Sequence, residues 1–73
     1  MEMEVYFSGK KKAIAKFDKF EVVTDQKVKA GGEESAPEPL KLFLASIGTC
    51  TGVYVLSFMN ERKLNTEGLK LFL

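Results

Sequence analysis

The chain has few of the side chains that usually build catalytic or metal sites. It contains no histidine and one cysteine, Cys50, among 73 residues. Without a second cysteine no disulfide can form within the chain. Without histidine, a metal would depend on carboxylates and one thiolate, which make a poor zinc site. The sequence therefore predicts neither a metal nor a cofactor, and it leaves Cys50 as the candidate catalytic residue.

An excess of charge of one sign is also missing. Eleven basic and ten acidic residues give a net charge of +1, which offers no support for a nucleic-acid or membrane-surface partner. A hydrophobic content of 45% excludes a disordered chain, and the length predicts one domain at most, spanning residues 1–73. Residues 1–4 are acidic and do not resemble a secretory signal. Together with the free thiol, this favours a reducing cytoplasm.

The first third of the chain alternates between apolar and polar residues with period two. This pattern predicts three strands, at residues 1–7, 12–17 and 20–24, which form an antiparallel β-meander. Asp18-Lys19 is the predicted two-residue turn between the second and third strands. The run Lys10-Lys11-Lys12 is interpreted as a solvated hairpin tip rather than an anion-binding patch, because lysines commonly protect exposed sheet edges.

A loop of 15 residues, 25–39, follows the strands. Loops of that length in a small domain are usually functional or disordered. Ser35 is the predicted N-cap of the next helix, with Glu38 completing a capping box. Pro37 or Pro39 suits the first helical turn, where a missing N–H has no cost. Gly31-Gly32 lacks a surrounding nucleotide fingerprint and is interpreted as a loop hinge.

Cys50 lies within eighteen consecutive uncharged residues, 42–59. They predict a helix from about residue 38 to residue 63, with Asn65 as its left-handed cap. The length is sufficient for a membrane span. Strands on both sides of the helix favour instead a central helix buried on all sides. Because 73 residues supply too little sheet to enclose it, a second copy of the chain is the expected cover.

Residues 67–73 predict a final strand, with Leu69, Leu71 and Leu73 on one face. An apolar strand of this kind is sticky unless it is paired. The chain stops inside this predicted strand. We therefore expect it to belong to a longer protein or to an assembly.

Three segments, taken together, resemble the OsmC/Ohr family. They are the Gly31-Gly32 loop, the Pro37-Glu38-Pro39-Leu40 helix start, and the helix segment Ala45-Ser46-Ile47-Gly48-Thr49-Cys50-Thr51. The family has a Gly-Gly loop, a Pro-x-Pro-Leu helix start and a buried Ala-x-x-Gly-x-Cys-Thr helix in these places. The strands before and after also fit, so the resemblance covers the whole chain. It corresponds to the N-terminal half of a usual family member.

The resemblance implies an α+β fold: a β-meander, a long buried central helix and a final strand, assembled as an intertwined homodimer. It also implies thiol-dependent reduction of organic hydroperoxides or hydrogen peroxide, and hence a role in oxidative stress. Cys50 occupies the position of the family's peroxidatic cysteine. In this chemistry a thiolate attacks the peroxide, a second cysteine converts the sulfenic acid to a disulfide, and a dithiol reductant restores the thiol.

The chain departs from the family pattern at the groups that activate the thiol. The resolving cysteine belongs to the C-terminal half, and the activating arginine has no counterpart among the N-terminal strands. Leu40-Lys41 stands where the peroxidases carry a glutamate, and Glu38 is nearby but out of register. A buried thiol with no neighbouring cation stays protonated and is a poor nucleophile. A second subunit could supply activation through residues 10–12 or Glu38.

Two interpretations therefore stay open. Cys50 is either a peroxidatic thiol or a small buried hydrophobe, as free cysteines commonly are. Tyr54 and Phe58 either line an apolar peroxide pocket, with Glu38 as a further pocket candidate, or belong to the core. The corresponding functions are an OsmC/Ohr-like thiol peroxidase and a non-catalytic, dimerising half-domain that binds a small apolar ligand.

Overall fold

The computed structural model describes residues 1–73. Three strands come first: β1 (Met3–Phe7), β2 (Ala13–Phe17) and β3 (Phe20–Thr24). A short 3₁₀ turn, Val28–Ala30, and one long helix, α1 (Pro39–Glu61), follow. The architecture is α+β, as predicted. The chain forms two compact units, Met1–Leu42 and Phe43–Leu73, which are described separately below.

The three strands form one antiparallel sheet in the order β1-β2-β3, which confirms the predicted meander. Phe17 is paired with Phe20, so Asp18 and Lys19 form the two-residue hairpin loop. Asp18 has φ 52°, a left-handed conformation that aspartate tolerates better than most residues. Strand β1 begins two residues later than the sequence predicted, and strand β2 begins one residue later.

The two faces of the sheet differ in their cover. Ile14 is 7% exposed and is the one buried hydrophobic residue of the chain. It lies on the mixed face, paired with Tyr6 on one side and Val23 on the other. The opposite face is mainly apolar and largely open, and by register it carries Met3, Val5, Phe7, Ala13, Ala15, Phe17, Phe20, Val22 and the buried Thr24.

Helix α1 begins at Pro39, one of the two prolines expected in its first turn. The Glu38 carbonyl accepts hydrogen bonds from the backbone N–H groups of Lys41 and Leu42, so Glu38 is the N-cap. The prediction of Ser35 as the cap is therefore wrong. The Ser35 hydroxyl instead donates to Asp25, a contact between residues ten positions apart that helix-capping patterns do not reveal.

Helix α1 ends in a Schellman motif. Lys63 has φ 56° and its N–H donates to the Asn60 carbonyl, while the Leu64 N–H donates to the Met59 carbonyl. The prediction of Asn65 as the left-handed residue is wrong by two positions. The Asn65 side chain caps a different turn, because its Oδ1 accepts a 2.9 Å hydrogen bond from the Glu67 N–H.

The final strand predicted for residues 67–73 is absent. Glu67 and Gly68 form a turn, and the residues after it have no regular secondary structure. The alternating leucines have the period of a strand, but a strand also needs a partner for its backbone groups. The sheet consists of β1, β2 and β3 alone, so no strand pairs with this segment.

No residue of helix α1 is buried within the single chain. The burial expected for this helix is therefore not met within the single chain. It is long and apolar enough to span a membrane, a criterion that core helices of soluble proteins also meet.

Candidate functional site

Cys50 lies in an open groove of about 360 Å³ on one face of α1. Helical spacing explains the composition of this groove, because residues three or four positions apart share a face. Cys50 is a free and exposed thiol. Its expected burial is therefore not met within the single chain. The groove is lined by Ser46, Ile47, Cys50, Thr51 and Tyr54.

Two of the three hydroxyl groups of this groove, those of Ser46 and Thr51, are already engaged by the helix. Ser46 Oγ donates a 2.6 Å hydrogen bond to the Phe43 carbonyl. Thr51 Oγ1 donates a 2.9 Å bond to the Ile47 carbonyl. Each hydroxyl has one proton to donate, so neither offers it to the Cys50 sulfur in this arrangement. Ser46 and Thr51 therefore provide no donor for a thiolate, and the third hydroxyl of the groove belongs to Tyr54.

Of the three predicted pocket residues, only Tyr54 lines the groove with Cys50. The ring of Phe58 lies under the Arg62 guanidinium, whose central carbon is 3.7 Å from the ring centroid. This cation–π contact engages the single arginine of the chain. The Glu38 carboxylate forms an ion pair with Lys41 at 3.6 Å. No charged residue lines the groove around the thiol.

A second, larger groove lies on the opposite side of the helix. Gly48 and Gly52 flank Cys50 by two positions on either side, which places them across the helix from it. This glycine groove has a volume of about 540 Å³. The helix contributes one wall and the segment after it the other: Ala45, Gly48, Thr49, Gly52, Leu56, Thr66, Leu69, Lys70, Leu71 and Leu73.

The other unit contains a polar centre that the sequence patterns did not indicate. Asp25 has no exposed surface. Its carboxylate accepts hydrogen bonds from the N–H of Gln26 at 2.7 Å, of Glu33 at 3.3 Å and of Ser35 at 3.1 Å. The Ser35 hydroxyl adds a bond of 2.6 Å. The Ser35 hydroxyl bond, followed by the backbone N–H donors, lowers the pKa of Asp25 from 3.8 to about 2.

Gly32 is required by the same centre. A Cβ at this position would collide with the carbonyl oxygen of Gln26 and lie 2.7 Å from Asp25 Oδ1. Because the collision is with backbone, it could be relieved only by moving the loop. Gly32, which the sequence analysis interpreted as part of a loop hinge, is therefore a position of close packing. Gly31, with φ 94°, ends the 3₁₀ turn in a left-handed conformation.

The lysine-rich hairpin tip is tied to this loop. Lys12 donates to and forms an ion pair with Glu33, and Lys10 lies 3.8 Å from the same carboxylate. This one hydrogen bond lowers the pKa of the Glu33 carboxyl and raises the pKa of the Lys12 ammonium. Ion pairs therefore hold part of the hairpin tip against the loop, whereas the sequence suggested a solvated tip.

The comparisons with known proteins give no family assignment. A scan of the sequence against protein-family models finds no match, and a search of curated proteins finds none either. The OsmC/Ohr resemblance therefore depends on the quoted residues alone and stays a prediction. No group of three or more histidine, cysteine, aspartate or glutamate side chains is placed to hold a metal.

Proposed function

We propose that the chain is an OsmC/Ohr-like redox protein that reduces organic hydroperoxides or hydrogen peroxide through Cys50. The observation that supports this most directly is the free, exposed thiol in a mainly apolar groove. An organic hydroperoxide has an apolar body and a polar O–O group. Such a molecule suits a groove whose walls are apolar and whose reactive atom is a sulfur.

The reaction balances with two external reactants. The Cys50 thiolate attacks the terminal oxygen of ROOH, the O–O bond breaks, and the products are a sulfenic acid and ROH. A dithiol reductant then supplies both sulfhydryl groups. The first forms a mixed disulfide with Cys50 and releases water, and the second displaces the Cys50 thiol. The chain itself has no second cysteine to perform this step. A dithiol reductant in the cytoplasm is therefore part of the proposal.

A homodimer is the second part of the proposal. The chain exposes 6194 Å². A folded monomer of 8.2 kDa is expected to expose roughly 4,500 Å². Covering the excess of roughly 1,700 Å² on each of two copies would bury about 3,400 Å² in total, which is within the range of obligate homodimers. The open apolar face of the sheet and the unburied helix α1 are the surfaces to be covered.

The dimer also bears on the reactivity of Cys50. A peroxidatic thiol requires a nearby cation or hydrogen-bond donor, and its own groove contains no charged residue. We infer that the second copy supplies this cation or donor, either from the hairpin tip at residues 10–12 or from Glu38 with its partner Lys41. Of the three tip lysines, Lys11 makes no ion pair, so it is the one whose charge is uncommitted.

Peroxide consumption in the presence of a dithiol reductant tests this function. Cumene hydroperoxide and hydrogen peroxide serve as substrates, with Cys50→Ser as the test variant. Thr49→Ser is the matched control, because it changes a neighbouring hydroxyl residue on the other groove. We expect turnover in the wild type and in Thr49→Ser, and none in Cys50→Ser. Full turnover by Cys50→Ser would refute the thiol mechanism.

The glycine groove supports one alternative: a non-catalytic half-domain that binds a small apolar ligand. Its volume of about 540 Å³ lies in the usual range of ligand pockets, and its lining is mainly apolar. Nile red fluorescence provides the test. The alternative is favoured if wild type and Cys50→Ser bind the dye equally, Gly52→Leu does not bind it, and no protein turns over peroxide.

A further inference from the structure

The glycine groove contains one charged side chain. Lys70 is the only charged residue among those that line it, and no acidic residue lies beside it in the lining. The ion pairs of the chain join Glu33 and Glu38 to other lysines, so the Lys70 ammonium has no carboxylate partner. The groove therefore combines an apolar wall with a positive charge that nothing in the chain compensates.

The two threonines of the groove differ in what their hydroxyl groups contact. Thr49 Oγ1 is held by the helix, since it donates to the carbonyls of Ala45 at 3.0 Å and Ser46 at 3.1 Å. Thr66 lies beyond the helix, and its hydroxyl makes no such bond. Thr66 and Lys70 are therefore the two lining residues whose polar side chains are available to a ligand.

The two walls of the groove run in opposite directions. A Cβ at Gly48 would be 2.8 Å from Cδ1 of Leu73. A Cβ at Gly52, one helical turn later, would be 3.8 Å from Cδ1 of Leu71. Moving back along the final segment thus means moving towards the C-terminal end of α1. Lys70 precedes Leu71, so the positive charge lies away from the Gly48 end, and the groove is polar towards one end and apolar towards the other.

Much of the apolar wall is open to water. Leu56, Leu69 and Leu71 are 41%, 40% and 45% exposed. Covering them with an alkyl chain is favourable in proportion to the apolar area removed from water. The helical wall from Ala45 to Leu56 is about 16 Å long, since a helix rises about 1.5 Å per residue. That length suits an extended alkyl chain of medium length.

We propose that the glycine groove binds a medium-chain fatty acid, with its carboxylate at Lys70 and its alkyl chain along Gly52 and Gly48. A fatty acid has the same division into a charged end and an apolar body as the groove, with the opposite sign of charge. The inference rests on the ligand-binding alternative given above and narrows its ligand to an alkyl carboxylate. It does not involve Cys50, which lies on the other side of the helix.

Displacement of Nile red from the wild-type chain is the first test. Dodecanoate is the ligand, and dodecyltrimethylammonium is the matched amphiphile of opposite charge, both below the concentrations at which they form micelles. We expect dodecanoate to displace the dye at the lower concentration. Bound dye that dodecanoate does not displace, or equal displacement by the cation, would overturn this inference and leave the apolar-ligand alternative intact. A chain that binds neither the dye nor dodecanoate would overturn both.

The second test removes the positive charge. Lys70→Gln should raise the dissociation constant of dodecanoate about fivefold, as expected for the loss of one exposed ion pair, and leave the binding of Nile red unchanged. Lys29→Gln is the matched control, because Lys29 is an exposed lysine that does not line the groove. It should leave the affinity for dodecanoate unchanged. Equal effects of the two substitutions, or no effect of Lys70→Gln, would overturn the placement of the carboxylate at Lys70.

Discussion

The Ser35 hydroxyl donates a 2.6 Å hydrogen bond to the Asp25 carboxylate, across ten positions of the chain. This contact closes the loop between strand β3 and helix α1. The Asp25 N–H in turn donates to the Pro37 carbonyl at 3.1 Å, two residues before the helix begins. Asp25 therefore holds the loop through both its side chain and its backbone, as far as Pro37.

Ser35→Ala is expected to destabilise the unit formed by residues 1–42. The substitution removes one donor to an unexposed carboxylate and should cost about 1 kcal/mol of unfolding free energy. Urea unfolding measures the effect. Ser57→Ala, on the exposed surface of α1, is the control and should be near neutral. Equal stability of Ser35→Ala and the wild type would show that the backbone donors suffice.

Acid is expected to weaken the loop. The folded-state pKa of Asp25 is about 2, below its ordinary 3.8, so its stabilising effect is complete above about pH 4. The effect decreases as the pH falls from about 4 towards 2. The lowered pKa of Glu33 acts in the same direction.

Unfolding free energies measured between pH 5 and pH 2 provide the check for acid weakening. In Asp25→Asn the group that titrates is absent, so its pH dependence over this range should be smaller than that of the wild type. A Glu33→Gln variant separates the contribution of the ion pair with Lys12. Parallel curves for the wild type and Asp25→Asn would contradict the assignment.

Gly52→Ala is expected to have opposite effects on the single chain and on the dimer. In the dilute chain, alanine gains about 1 kcal/mol of helix propensity over glycine. Its Cβ would meet Leu71 Cδ1 at an ordinary 3.8 Å. If a second copy approaches this face closely, the same methyl group should weaken association.

The larger substitution Gly52→Leu should weaken association further, with overpacking of about 1–3 kcal/mol. Denaturant unfolding of the dilute chain and sedimentation at high concentration separate the two effects of Gly52→Ala. Association that is equally strong for glycine, alanine and leucine at position 52 would exclude a close approach through this face.

Alkylation of Cys50 should depend on protein concentration. In the single chain the thiol is exposed, so iodoacetamide reaches it directly. A second copy that covers α1 would shield it, and labelling should slow as the dimer forms. The urea-unfolded chain gives the unshielded reference rate. Constant labelling across a range in which sedimentation detects dimer would place Cys50 outside the interface.

Local signals in the sequence determined the elements themselves. Period-two alternation gave the strands within two residues, and the Asp18-Lys19 turn was found where expected. The uncharged run and its prolines gave α1, predicted from about residue 38 to residue 63 and observed at Pro39–Glu61. These features depend only on residues that are neighbours along the chain, and the amino-acid sequence is therefore sufficient to predict them. The composition of the thiol groove also followed in part, because Tyr54 lies one helical turn from Cys50.

The tertiary structure decided what the local signals could not. Ser35 donates a hydrogen bond to Asp25 and does not cap the helix. A buried carboxylate needs donors, and only the folded loop brings these donors together. The alternating leucines of residues 67–73 did not form a strand, since a strand requires a partner with free backbone groups. Phe58 was engaged by Arg62 and did not join Cys50. Each outcome depends on which distant groups meet, and that is determined by the fold rather than by spacing along the sequence.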